Sequence, residues 1–163
     1  MKTKYTVPHR RKREGKTNYK RRLELLKSKV TRLVVRKTNT QVIVQFIEYA
    51  EKGDVVLLTF QSKSLEKDGW KHSKNNIPAC YLAGLKAGNL AIDKKVKKAV
   101  LDLGLQLPKK GGRTYAVLKG IIDAGIKVPA SKEIFPSEDR LSGKHLQKDV
   151  SKDYDNVKSK IMK

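Results

Sequence analysis

Apolar positions in this chain fall into short blocks whose spacing changes along its length. Residues 32–37 carry the apolar run Leu33-Val34-Val35, with β-branched Val34 and Val35, closed by the turn residues Thr38-Asn39-Thr40, and read as a strand. In residues 41–49, Val42, Val44 and Phe46 alternate with Ile43, Gln45 and Ile47. That pattern predicts a strand with both faces substantially buried. Glu51-Lys52-Gly53-Asp54 supplies the next turn and residues 55–61 a third strand. Connections this short require an antiparallel meander.

The period then lengthens. Asn75 or Asn76 can cap a helix over about residues 77–92 that accepts Pro78 in its first turn. Its small residues Ala79, Cys80, Ala83, Gly84, Ala87 and Gly88 let it lie close against a sheet. Residues 98–103 form the next strand, reached across the helix and therefore parallel to its partner by a right-handed crossover. Residues 113–124, between Gly111-Gly112 and Gly125, give a second helix. Ser137, Glu138 and Asp139 signal a short helical segment near residues 141–146, and the charged sequence beyond Gln147 is expected to fray. The predicted fold class is α/β, a single compact domain with a mixed sheet in βββαβα order, spanning residues 30–130. A basic arm (residues 1–29) precedes it and a polar C-terminal extension with a short helix (131–163) follows. No internal repeat at periods of twenty to fifty residues is evident.

Charge changes the picture most in the arm. The chain of 163 residues holds 38 Lys and Arg against 16 Asp and Glu, a formal net charge of +22. Residues 1–37 alone contain fifteen of those cations against Glu14 and Glu24. So lopsided a segment repels itself unless a polyanion neutralises it. Tyr5 and Tyr19 sit among Arg10, Arg11, Lys12, Arg13, Arg21 and Arg22, a mixture in which cations track phosphates and aromatic faces stack on bases. Alone, such an arm is expected to be largely disordered, with Leu23 and Leu26 at helical spacing able to dock a short helix on the body. The longest apolar runs are strand-sized, which disfavours a membrane partner, and no secretory signal opens the chain. A lone cysteine, Cys80, suits a reducing cytosol.

Several residue groups carry a sharper chemical alternative. Gly15-Lys16-Thr17 resembles the end of a phosphate-binding loop, but Arg10 stands where that motif needs glycine and no strand precedes it, so Lys16 reads as a phosphate contact. His9, His72, His145 and Cys80 lack metal-ligand spacing. Cys80 reads as a packed thiol, and Gly84 and Gly88 as a step for close packing against the sheet. Asp93, Asp102 and Asp123 could gather round a divalent ion, though each fits an ordinary helix or strand end. Trp70, in Gly69-Trp70-Lys71-His72, divides evenly between stacking on a base and anchoring its loop.

Taken in order, the blocks Tyr5-Thr6-Val7-Pro8, Arg10-Arg11-Lys12-Arg13-Glu14-Gly15-Lys16-Thr17, Arg32-Leu33-Val34-Val35-Arg36-Lys37, Gly69-Trp70 and Pro78-Ala79-Cys80-Tyr81-Leu82-Ala83-Gly84 share one resemblance. So do Leu101-Asp102-Leu103-Gly104-Leu105 and the stretch from Gly112-Arg113 to Asp123-Ala124-Gly125. Together they resemble the large-subunit ribosomal protein family numbered eighteen in the universal scheme and five in eukaryotes. The length resembles archaeal members. Ala130 stands where many relatives have histidine, and the tail after Gln147 matches no part of the pattern.

The resemblance implies a structural, non-enzymatic protein of the cytoplasmic large ribosomal subunit. Its partners would be 5S rRNA, large-subunit rRNA and neighbouring ribosomal proteins, with no cofactor, metal, membrane or small-molecule substrate. The RNA-binding set expected on this reading is Arg10, Arg11, Lys12, Arg13, Lys16, Thr17, Tyr19, Arg21, Arg22, Lys27, Arg32, Arg36, Lys37, Trp70, Lys71, Lys109, Lys110 and Arg113. Two rival readings are a Mg²⁺-dependent RNA-processing nuclease using Asp102 and Asp123, and a sequence-tolerant nucleic-acid-compacting protein.

Overall fold

A computed structural model of the chain describes residues 6–146 and 148–162. Tyr5, Lys2 and Lys4 of the expected arm lie outside the described residues. The body is a four-stranded sheet in the order β3-β2-β1-β4, from β1 (Arg32–Lys37), β2 (Val42–Glu48), β3 (Val55–Gln61) and β4 (Val100–Asp102). As the short turns predict, β1, β2 and β3 form an antiparallel meander, and β4 pairs parallel to β1. Alternation decides the two faces. Leu33, Val35, Val42, Val44 and Phe46 are fully buried under the helices. Ile43, Gln45 and Ile47 on the other face of β2 are only half-buried, so β2 is a one-faced strand rather than the two-faced one its apolar content suggests.

The helical layer holds α3 (Ile77–Asp93) and α4 (Arg113–Asp123), preceded in the chain by two short arm helices, α1 (Arg10–Arg13) and α2 (Tyr19–Lys27). Asn76 caps α3, its Oδ1 accepting from the Ala79 amide at 2.9 Å, with Pro78 in the first turn as expected. The small residues of α3 serve the neighbouring helix more than the sheet. A Cβ on Gly84 would stand 2.1 Å from the Val117 carbonyl oxygen, and one on Gly120 would stand 2.3 Å from that of Tyr81. Glycine at both positions brings the α3 and α4 backbones into direct contact, which corrects the expectation of sheet packing for Gly84. Gly88 likewise faces Ala124 and Ile121 of this second helical segment. Cys80 is fully buried and its thiol is pushed up to about 12 by that burial, as expected of a packed core thiol.

The C-terminal region departs from its sequence reading. The short helix there is α5 (Glu138–Ser142), stopped by Gly143 in the left-handed region at φ 79°, rather than a segment over residues 141–146. Beyond it the chain does not fray but forms α6 (Lys148–Met162). Val150, Tyr154 and Val157 recur at i, i+4 and i+7, one face of a helix, and all three are buried in the core. The Tyr154 ring lies 5.9 Å from that of Tyr81. Among the described residues no helix is long and apolar enough to cross a membrane.

Candidate nucleic-acid interface

Helices on one side leave the other face of the sheet open, and the arm folds over part of it. His9 precedes α1, whose four residues Arg10, Arg11, Lys12 and Arg13 are all exposed. Glu14 and Gly15 then turn the chain, Lys16 pairing with Glu14 at 2.9 Å and Arg11 Nε donating to Thr17 Oγ1 at 2.9 Å. Asn18 caps α2 by accepting from the Arg21 amide at 3.1 Å. The Gly15-Lys16-Thr17 segment thus links two short helices of a basic arm, a setting unlike the strand-to-helix turn of a nucleotide-binding loop.

No residue of α1 or α2 is buried. Leu25 and Leu26 are half-buried, while Leu23, expected to dock the helix, is 58% exposed. Polar contacts tie the arm down instead. Arg22 Nη2 donates to Asp54 Oδ2 at 2.8 Å, and Arg21 Nη1 reaches the Gly104 carbonyl at 3.5 Å. The same Asp54 oxygen accepts from Arg32 at 2.5 Å; Arg32 also pairs with Asp102 at 3.1 Å, and Arg36 with Asp102 at 3.3 Å. Asp102 accepts in addition from the Gly104 amide at 2.7 Å. Charges therefore alternate across the open face in the order Arg22, Asp54, Arg32, Asp102, Arg36. Burial works to raise the Asp54 pKa, but hydrogen bonds from Arg22 and Arg32, with their charges, outweigh it and hold the carboxyl below the usual Asp value.

Between arm and sheet lies a cleft of about 500 Å³. Its walls combine Leu25, Val34, Ile47 and Leu105 with Arg11, Lys16, Arg21 and the network just described. A second hollow of about 320 Å³ is lined by Lys12, Thr17, Asn18, Tyr19, Lys20 and Leu105. Tyr19 is 37% exposed there, with its ring 5.4 Å from that of His9. Exposed cations beside apolar and aromatic surface are the two ingredients of single-stranded RNA contact, charge for phosphate and flat faces for bases.

The expected residues do not all come together. Arg10, Arg11, Lys12, Arg13, Lys16, Tyr19, Arg21 and Lys27 are exposed on the arm, with Thr17, Arg22, Arg36 and Lys37 half-buried at its seam with the sheet. Gln106 carries that seam onward by bonding both backbone groups of Lys37. Lys109 and Lys110 are exposed on the loop before α4, and Arg113 is half-buried, Nη1 reaching the Asn75 carbonyl at 3.5 Å. Lys71 is exposed but stands beside α6, near the His72–Asp153 contact, apart from the arm cleft. Two members need correction. Trp70 is 1% exposed with Nε1 donating to the Ser73 carbonyl at 3.0 Å, so it anchors its loop and has no free face for a base. Arg32 is 3% exposed and spent on two carboxylates, which removes it as a phosphate contact. Asp54 was not expected at all: an acid in a turn carries no signal of a partner 32 residues earlier.

The carboxylates of the nuclease reading are committed separately. Asp102 neutralises Arg32 and Arg36 on the open face, whereas Asp123, on the helical side, accepts from Tyr81 Oη at 3.0 Å and Lys119 at 2.9 Å. Among the described residues no group of three or more His, Cys, Asp or Glu could hold a metal ion.

Comparison with known proteins gives the family. Residues 3–99 match the family model described as ribosomal large subunit proteins 60S L5 and 50S L18. The chain is also 51% identical over 143 residues to the large ribosomal subunit protein uL18 of Korarchaeum cryptofilum (strain OPF8), covering 88% of this chain and 73% of that protein. With an arm of exposed cations on an α/β body, and a match through the arm, β1 to β3 and the whole of α3, this chain belongs to the large-subunit ribosomal protein family of 60S L5 and 50S L18.

Proposed function

We propose that this protein is a structural constituent of the cytoplasmic large ribosomal subunit that binds 5S rRNA and helps attach it to large-subunit rRNA, beside neighbouring ribosomal proteins. The observation that carries the reading is the arm itself: four consecutive exposed cations on α1, followed by Lys16, Lys20 and Arg21, beside the Tyr19 and Leu105 surfaces. Arg side chains bridge phosphates through paired N–H groups, and Lys adds less directional charge. Selectivity for RNA comes from shape, 2′-hydroxyls and unstacked bases, because the A-form major groove resists side chains. The role needs no turnover, in keeping with Asp102 and Asp123 each holding their own cations.

Competition separates this from charge-driven compaction. Purified protein bound to labelled 5S rRNA at physiological salt is challenged with unlabelled 5S rRNA or duplex DNA of equal nucleotide content. Displacement by 5S rRNA at concentrations at least tenfold lower is the expected result. Equal displacement by both would leave a sequence-tolerant polyanion binder.

A further inference from the structure

The network under the arm contains an acid where an RNA-binding face gains nothing from one. Asp54 stands at the β2–β3 turn, its side chain 24% exposed, and its Oδ2 joins Arg22 of the arm to Arg32 of the sheet. Considered by charge alone, it repels the phosphates that the surrounding cations attract. Its geometry gives it another use. Among the described residues the arm has no buried side chain, and only two side-chain hydrogen bonds join α2 to the body, from Arg22 to Asp54 and the longer one from Arg21 to Gly104. Arg32 is immobilised by Asp102, so Asp54 connects the arm to a fixed point in the sheet. Without it, Asp102 would be the one acid among the described residues lining a cleft that six cations line.

We propose that Asp54 is a positioning residue that latches the basic arm over the sheet through Arg22, so that this acidic side chain strengthens RNA binding instead of weakening it. A latched arm presents its cations already arranged, and less conformational freedom is lost when RNA binds. The idea rests on the RNA-binding reading above, and it makes the opposite prediction from simple charge counting.

Two measurements on the full chain test it. The first is hydrogen exchange of the α2 amides without RNA; the second is 5S rRNA affinity at one salt concentration. Asp54→Asn is compared with Glu51→Gln, which removes the same charge from an exposed position in the same turn. Asp54→Asn should speed α2 exchange and weaken RNA binding roughly three- to fivefold, the scale of a partly exposed ion pair. Glu51→Gln should leave exchange unchanged and binding equal or tighter. Because Asp54→Asn also strips Arg32 of a partner, Arg22→Gln provides a second route that leaves the Asp54–Arg32–Asp102 chain whole. It should loosen α2 where Lys20→Gln, an equal loss of charge, does not, and Arg22→Lys should recover most of the protection. Equal α2 exchange in Asp54→Asn and Glu51→Gln would remove the latch, whatever the RNA does. Faster exchange with unchanged or tighter RNA binding would remove its positioning role. If the unmutated protein shows no preference for 5S rRNA over duplex DNA, the functional reading fails, and the exchange data alone still decide whether the latch exists.

Discussion

The two ends of this chain are similarly polar in sequence and are attached in opposite ways. The described part of the N-terminal arm folds into α1 and α2, buries none of its residues and is tied to the body by Arg22 and Arg21. The C-terminal α6 is also rich in charged residues, though its four Lys and three Asp nearly cancel, and it seats Val150, Tyr154 and Val157 in the core. Few apolar residues suffice when they share one helical face above an unfilled part of the core. Of the arm's leucines, Leu23 stays largely exposed, while Leu25 and Leu26 are only half-buried, Leu25 lining the cleft over the open sheet face. Hydrophobic attachment makes α6 part of the domain; ionic attachment leaves the arm available to a polyanion.

The largest effect expected from this contrast is on stability. Deleting residues 148–163 removes three buried side chains from the core, at about 1.5–3 kcal/mol each, so roughly 5–9 kcal/mol of unfolding free energy should be lost. For a domain of ordinary stability that is a large fraction of the total. Denaturant unfolding reads it directly. RNA affinity of the fraction still folded should stay close to that of the intact chain, and a parallel collapse of binding would place α6 in the interface.

Next comes Arg32, whose residue type suggests the interface and whose burial assigns it to the fold. Arg32→Ala breaks a buried ion pair and leaves Asp102 without its closest guanidinium, a change of about 3 kcal/mol or more. Stability should fall by that amount while the slope of log affinity against log salt stays the same. A slope shallower by about one unit would return Arg32 to the phosphate contacts.

A smaller, pH-dependent effect distinguishes the two attachments. The Asp54 carboxyl titrates below its ordinary value of 3.8 in the fold, so its contribution is fully present above that value and is lost as pH falls through the folded one. Protection of α2 from exchange, corrected for intrinsic rates, should hold from pH 7 to about 5 and decline below about 4. A decline already complete at pH 5 would mean that another group controls docking. Single side chains draw the same contrast, and the smallest change belongs to the arm. Val157→Ala, at a position 2% exposed, should lower stability by roughly 2 kcal/mol. Leu23→Ala, 58% exposed, should stay within about 0.5 kcal/mol of the unmodified chain.

Much of the body is legible in the sequence because local pattern and tertiary environment agree there. Residues 77–92 carry a cap, an early proline and a helical run of small apolar side chains, and α3 spans Ile77–Asp93. The meander follows from turns too short for any other connection. The parallel β4 follows from the intervening helix. What escaped depends on contacts distant in sequence. One apolar residue per turn among lysines and aspartates hides α6, because composition outweighs spacing unless the stripe Val150, Tyr154, Val157 is traced. Arg32 meets carboxylates 22 and 70 positions away, and no feature of the strand announces them. Trp70 has the same sequence neighbours whether it faces a base or the core. The exposed arm residues are legible as a cluster of cations, but which RNA groups they touch is decided by a partner.

The most direct test of the central claim, that the arm carries the principal RNA contact while the body folds without it, compares the intact protein with a version lacking residues 1–22. Affinity for 5S rRNA is titrated against salt, with thermal unfolding followed in parallel. Neutralising about six to ten phosphates gives the intact protein a log–log slope of roughly −4 to −9. The truncated protein should unfold at nearly the same temperature, bind far more weakly and lose at least half of that slope. An intact slope shallower than about −2, or equal affinity and slope in the two proteins, would contradict the account.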